Sequence, residues 1–177
     1  MPEIASNPPL MKKMLFILGV IACMSFASCE AFTELQQTGE IKKKPIRTST
    51  VSEAGMEESI LDLINQYRKS KGLGILKMHT AISEESRKHS SDMANNKVPF
   101  SHDGFNTRAK RIEEKIHGVR SVAENVAYGQ RSAKEVVEDW IKSPGHKMNI
   151  EGNYTQTGIG IAANKKGVLY YTQIFVR

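Results

Sequence analysis

The stretch Val122–Ile150 limits what this chain can fold into more than any other. If residues 122–128 are extended, Val122, Glu124, Val126 and Tyr128 point to one face, which sets a carboxylate in an otherwise apolar row. Burying that carboxylate is costly unless donors meet it, so the fold must bring a partner to Glu124. Ser132-Ala-Lys-Glu135 has the form of a capping box and predicts a helix starting at Ser132. On that helix Val136, Val137, Trp140 and Ile141 make one apolar stripe, while Glu138, Asp139 and Lys142 fall outside it. Pro144-Gly145 predicts the end of the helix and a sharp bend that presents His146.

Together with other segments, these residues carry a family resemblance. Ser101-His102, the run Ala123-Glu-Asn-Val-Ala-Tyr-Gly129, Trp140 followed by Ser143-Pro-Gly-His146 and Asn149-Ile150, then Gly158-Ile-Gly-Ile161 and Tyr170-Tyr-Thr-Gln-Ile-Phe175 occur in that order. The chain resembles the CAP superfamily of cysteine-rich secretory, antigen 5 and pathogenesis-related 1 proteins, and within it the bacterial, disulfide-free SCP-like branch. The resemblance covers about the last two thirds of the chain.

At 177 residues the chain has room for one ordinary domain plus appendages. Residues 11–29 have a basic start, a short apolar run and small residues before Cys29, the pattern of a secretory signal and too short for a stable membrane span. Phe26-Ala-Ser-Cys29 further resembles a lipoprotein signal, in which Cys29 becomes the lipidated first residue, although Phe26 replaces the usual leucine-like residue. Met11 begins a complete signal by itself, so residues 1–10 read as an upstream extension from a misassigned start. The expected organisation is an extension plus signal over 1–29, a flexible polar tether over 30–54 and a CAP domain over 55–177. Both cysteines, Cys23 and Cys29, lie in the signal segment, so an exported domain without an internal disulfide is expected, stabilised by its core.

Cleavage before Cys29 would remove Lys12, Lys13 and Glu3 and lower the net charge of +6 by one. Part of the remaining charge is the run Lys42-Lys-Lys44, which reads either as a solvated tether or as a contact with anionic headgroups. No basic face interleaved with aromatics is present, so nucleic acid is not an expected partner. Within the domain, Ile60, Leu61, Ile64 and Tyr67 recur at helical spacing up to Gly72, with Arg68, Lys69 and Lys71 favourable to the helix dipole. Leu73-Gly-Ile-Leu76 is a short apolar link into a helix over 80–95, whose core candidates are Ala81, Ile82, Met93 and Ala94 and whose His89 reads as a surface or satisfied core-edge residue. A turn at Asp103-Gly104 delivers His102, and a charged helix over 107–117 turns Ala109, Ile112 and Ile116 inward. Residues 157–163 and 168–176 make two strands of a hairpin. With the segment around Glu124 they predict an α+β fold, a three-layer α/β/α sandwich around a small antiparallel sheet of about three strands, as the resemblance also implies.

The resemblance implies a cleft carrying two histidines and two acidic residues. The matching positions are His102, Glu124 and His146, while Ser143 stands where the family has its second glutamate; Asp139 and Glu138 are weak substitutes. Two imidazoles and one carboxylate, His102, His146 and Glu124, suit zinc or another divalent metal and would leave a position open for water. The same residues admit a purely structural role, metal-assisted ligand binding or metal-dependent hydrolysis of peptide or cell-wall material. No Gly-x-Ser-x-Gly elbow supplies a nucleophile. The expectation is therefore a protein of the cell envelope, lipid-anchored or secreted. Its His102, Glu124, His146, Ser143 and Asn149 cleft would take an envelope-derived small molecule, lipid, peptide or glycan; the alternative is the hydrolase.

Overall fold

The structure, a computed structural model, describes residues 52–177. The signal, the lipidation position Cys29, the Lys42–Lys44 run and the tether up to residue 51 lie outside the described residues. Helix α1 (Glu53–Ser70) opens at Ser52, whose hydroxyl accepts from Gly55 N at 3.2 Å, so the last residues assigned to the tether are helical.

Ile60, Leu61 and Ile64 of α1 are buried, as their spacing predicts. Arg68 does more than complement the helix dipole. It is 2% exposed and donates to four carbonyls: Gly74 at 2.7 Å, Ile150 at 2.6 Å, Gly152 at 2.9 Å and Tyr154 at 3.2 Å. Its planar fork ties the end of α1 to a segment more than eighty positions away. Arg68→Lys keeps the charge but not the fork, and each abandoned buried acceptor costs on the order of 1–3 kcal/mol. A loss of about 2–3 kcal/mol in urea denaturation is expected; an unchanged midpoint would remove Arg68 from this role.

After α1 come β1 (Lys77–Met78), α2 (Thr80–Ala94), α3 (Phe105–Lys115), β2 (Val122–Tyr128), α4 (Ala133–Lys142), α5 (Pro144–Glu151), β3 (Gln156–Ala163) and β4 (Leu169–Val176). The sheet has four strands in the order β1-β3-β4-β2. The three expected antiparallel strands are present, and β1 adds a short parallel pairing to β3 through Lys77 opposite Gln156 and Met78 opposite Thr157. Two residues show no periodicity, which is why β1 is not legible as a strand.

Alternation along β4 separates two cores. Tyr171 and Phe175 join Ile60, Ile64, Val136 and Trp140 on the side of α1 and α4. Ile174 and Val176 join Ile82 and Ile112 on the side of α2 and α3. Helices on both faces give the three-layer α/β/α sandwich. On the α2 side, buried Ser86 and Ser90 donate to the carbonyls of Gly158 at 3.0 Å and Gly160 at 2.9 Å. Helix α2 thus lies directly on the glycines of β3.

The capping box forms at α4: the Ser132 hydroxyl accepts from Glu135 N at 3.2 Å, and the Glu135 carboxylate reaches back to Arg131 N at 2.6 Å. Val136, Val137 and Trp140 are buried on its inward stripe. Beyond α4 the expected bend is not found. Ser143 closes α4 and at once precedes α5, whose first residue is Pro144. Proline has no amide hydrogen to lose at that position and its fixed φ suits a helix start, so Pro144-Gly145 begins a helix as well as ending one. His146 sits on the first turn of α5.

Candidate functional site

Glu124 meets its donors. Its side chain is 2% exposed, and Arg108 grips it with two bonds of 2.8 Å, Nε to Oε2 and Nη2 to Oε1. On the solvent side His102 Nδ1 lies 2.9 Å from Oε1 and donates to it, with the imidazole about half exposed. Arg108 also donates to the Asp103 carbonyl at 2.8 Å and the His102 carbonyl at 3.4 Å, so one guanidinium fixes both the carboxylate and the loop that carries the imidazole. Gly104, at φ +75°, supplies the left-handed turn between that loop and α3. Behind the loop, His89 is buried and its Nε2 donates to the Ser101 carbonyl at 3.0 Å, a satisfied core histidine as expected.

β2 is an edge strand, and its rim is covered by side chains from α4 and α5. Trp140 Nε1 donates to the Val126 carbonyl at 3.4 Å, and Asn149 donates to the Glu124 carbonyl at 3.1 Å and to Asn125 Oδ1 at 2.8 Å. Asn125 in turn donates to the His146 carbonyl at 3.1 Å, which couples α5 to the strand.

Two hollows follow β2. One, of about 320 Å³, takes His102, Phe105 and Glu124 as walls. The other, of about 260 Å³, is walled by His146, Ser143, Asp139, Trp140, Tyr128 and Phe100 among others. The five expected site residues are therefore distributed: His102 and Glu124 in contact, His146 and Ser143 on the neighbouring hollow, and Asn149 bonded behind the strand. Of the two substitute carboxylates, Asp139 reaches its hollow and is held by Gln130 at 3.0 Å, whereas Glu138 lies 3.6 Å from Lys134.

The Cysteine-rich secretory protein family, CAP, matches residues 61–175. The chain belongs to this family. Among curated relatives, the chain is 34% identical over 139 residues to the uncharacterized membrane protein YlbC of Bacillus subtilis, covering 77% of this chain and 37% of that protein. Of solved structures, an extracellular protein containing an SCP domain from Bacillus anthracis superposes with a TM-score of 0.59 at 29% identity, covering 71% of this chain and 41% of that one. An outer surface protein from Borrelia burgdorferi shares the fold at a TM-score of 0.61 and 19% identity, covering 68% of this chain and 90% of that one. The chain spans well under half of YlbC and of the B. anthracis chain.

In this CAP domain the three-ligand metal set does not fit the geometry. Both Glu124 oxygens are committed, with a guanidinium in place of a metal, and among the described residues no group of three His, Cys, Asp or Glu could hold an ion. Glu124 and His102 are bonded to each other instead. Among the described residues the imidazole hydrogen bonds run to Ala81 N, the Ser101 carbonyl and Glu124, and none to a serine or threonine hydroxyl. Sequence reasoning missed Arg108, although it stands one helical turn before Ile112 on the inward stripe, where an arginine predicts a buried carboxylate partner. It also missed the ring cluster on the rim: Phe100 and Tyr128, centroids 4.7 Å apart, and Tyr170, stacked on Tyr128 at 5.6 Å.

His89 and His146 are both held below the usual imidazole pKa of 6.5, first by burial; Arg108 adds to this at His89 and His102 at His146. The unfolded chain thus takes up these protons at higher pH than the folded chain. Their contribution to stability is complete above about pH 6.5 and is lost as pH falls through the lower folded values. Thermal melts should show a declining midpoint below about pH 6.5, and His89→Gln, which still donates to Ser101, should flatten the decline. An equally steep decline in that variant would assign the effect elsewhere.

Proposed function

We propose that this protein is an exported envelope protein whose CAP domain binds, without cleaving, an envelope-derived small molecule, peptide or glycan over the His102 and His146 hollows. The observation that carries the reading is the committed state of Glu124. With its charge neutralised by Arg108 and its remaining bond directed to His102, it is a positioning group rather than a general base or a metal ligand. What is left toward solvent is binding chemistry: the outer edge of the His102 imidazole, the half-buried His146, and the rings of Phe100 and Tyr128, 44% and 53% exposed. Rings held in contact at a rim stack on flat apolar faces at little conformational cost. The names of relatives, a membrane protein and an extracellular protein, agree with an envelope location.

The test is incubation with solubilised envelope peptide and glycan fragments, with and without chelator. Retention without turnover, indifferent to chelator, is expected. His102→Ala and Tyr128→Ala should each weaken retention about ten-fold or more, the scale of a well-placed contact residue, with small changes in melting temperature because both side chains are half exposed. Stoichiometric zinc with chelator-sensitive cleavage would overturn the reading in favour of a metal-dependent hydrolase.

A further inference from the structure

At one end of the domain three cationic side chains stand outside the ion pairs formed among the described residues. Lys165 and Lys166 occupy the tip of the β3–β4 hairpin, and Arg131 lies just before α4; all three are exposed. Among the described residues none of their side-chain nitrogens has a carboxylate oxygen within 4.0 Å, unlike those of Lys88, Lys97, Lys115 or Arg111; the Glu135 carboxylate meets Arg131 only at its backbone N, at 2.6 Å. Lys166 stands between two hollows of about 380 Å³ each. The first is completed by Lys165 and the asparagines 95, 96 and 164, the second by Arg131 and the turn backbone, and neither has an acidic residue in its wall. The hairpin tip is fixed: the Asn164 carboxamide accepts from Lys166 N at 2.9 Å and Val168 N at 3.0 Å.

This is also the end at which the polypeptide comes into the domain. Tyr171 Oη donates to the Gln130 carbonyl at 2.8 Å and lies 3.7 Å from Met56 Sδ, so the first turn of α1 adjoins the Gln130–Arg131 segment. Glu57 accepts from Ile161 N at 3.3 Å, and Gly129 N bonds the Leu169 carbonyl at 2.9 Å, which places the hairpin base beside the same turn. The chain before Ser52 therefore joins the domain on the side of these three cations, and its sequence has its own Lys42–Lys44 run. We propose that this end docks on an anionic lipid surface, with Arg131, Lys165 and Lys166 meeting the phosphates of the headgroups. All three are exposed and no single hollow takes all of them as walls, which suits a broad charged surface better than a threaded polymer. The proposal does not depend on what the cleft binds.

A cation close to an anionic bilayer contributes about five-fold in binding, so losing three should weaken it on the order of a hundred-fold. The full chain would be mixed with phosphatidylglycerol-containing and with pure phosphatidylcholine vesicles and sedimented, and the ratio of the two partition coefficients taken, so that apolar anchoring common to both cancels. The expected result is a ratio that falls on the order of a hundred-fold in Arg131→Gln/Lys165→Gln/Lys166→Gln and falls steeply with added salt. The charge-matched variant Lys69→Gln/Lys71→Gln/Lys77→Gln, at the other end of α1, should retain most of it. Equal losses in the two triple variants would reduce the effect to net charge and overturn the proposal. So would a wild-type ratio near one, or binding to soluble polyphosphate in preference to phosphatidylglycerol vesicles.

Discussion

Replacing Arg108 by methionine is expected to destabilise the domain by about 3–5 kcal/mol, read as a lower urea midpoint at unchanged slope. Methionine fills much of the volume of the arginine stem, so packing accounts for little of that loss. The dominant cost is electrostatic: a carboxylate only 2% exposed would keep a single side-chain donor, a half-exposed imidazole, in place of a bidentate guanidinium. Two further bonds disappear, to the carbonyls of Asp103 and His102, so the His102 loop should loosen as well. Arg108→Lys should recover only part of the loss, since an ammonium cannot span both carboxylate oxygens and the loop carbonyls together. By contrast, His102→Ala removes one partly exposed bond and should cost about 1 kcal/mol. That inequality separates a positioning arginine from a surface histidine poised to bind.

Gly160→Ala should be as damaging, about 3 kcal/mol or more, or an outright failure to fold. A Cβ on Gly160 would overlap Arg87 N and Ser86 C, and one on Gly158 would overlap Ser83 N and Ile82 C, all backbone atoms of α2. A flexible side chain can turn aside; a helix backbone seated on a central strand cannot. Overpacking in a well-packed core costs typically 1–3 kcal/mol, and here α2 would also lose the Ser86 and Ser90 bonds to the same glycines. Circular dichroism and urea titration of Gly160→Ala check this, with Gly129→Ala as a comparison. Gly129 has φ +94° but nothing within 4 Å of the added atom, so it would suffer backbone strain alone. Comparable stabilities for the two variants would mean that helix α2 is not held close to the strand.

The large features were legible because each had a local physical signature. The alternation around Glu124 predicted a strand with a buried carboxylate in need of a donor, and the Ser132–Glu135 spacing predicted where α4 begins. What was not legible depended on distance or context. The donor for Glu124 is sixteen residues upstream, on a helix so charged that its one buried arginine is hard to single out without coordinates. Pro144 carries the same local preferences whether it ends a helix or begins one; the packing of Ile150 and the bonds of Asn149 and Asn125 select the second. The same holds along β2: motif order identifies the residues brought near the strand, not the part of its rim that each one lines.

A double-mutant cycle between Arg108 and Glu124 most directly probes whether that carboxylate belongs to the scaffold. Urea denaturation of Arg108→Met, Glu124→Gln and the double variant should show a double variant little worse than the poorer single one, a coupling of about 2–3 kcal/mol. Losses that add to within about 0.5 kcal/mol would show Glu124 to be independent of Arg108, and would contradict the account.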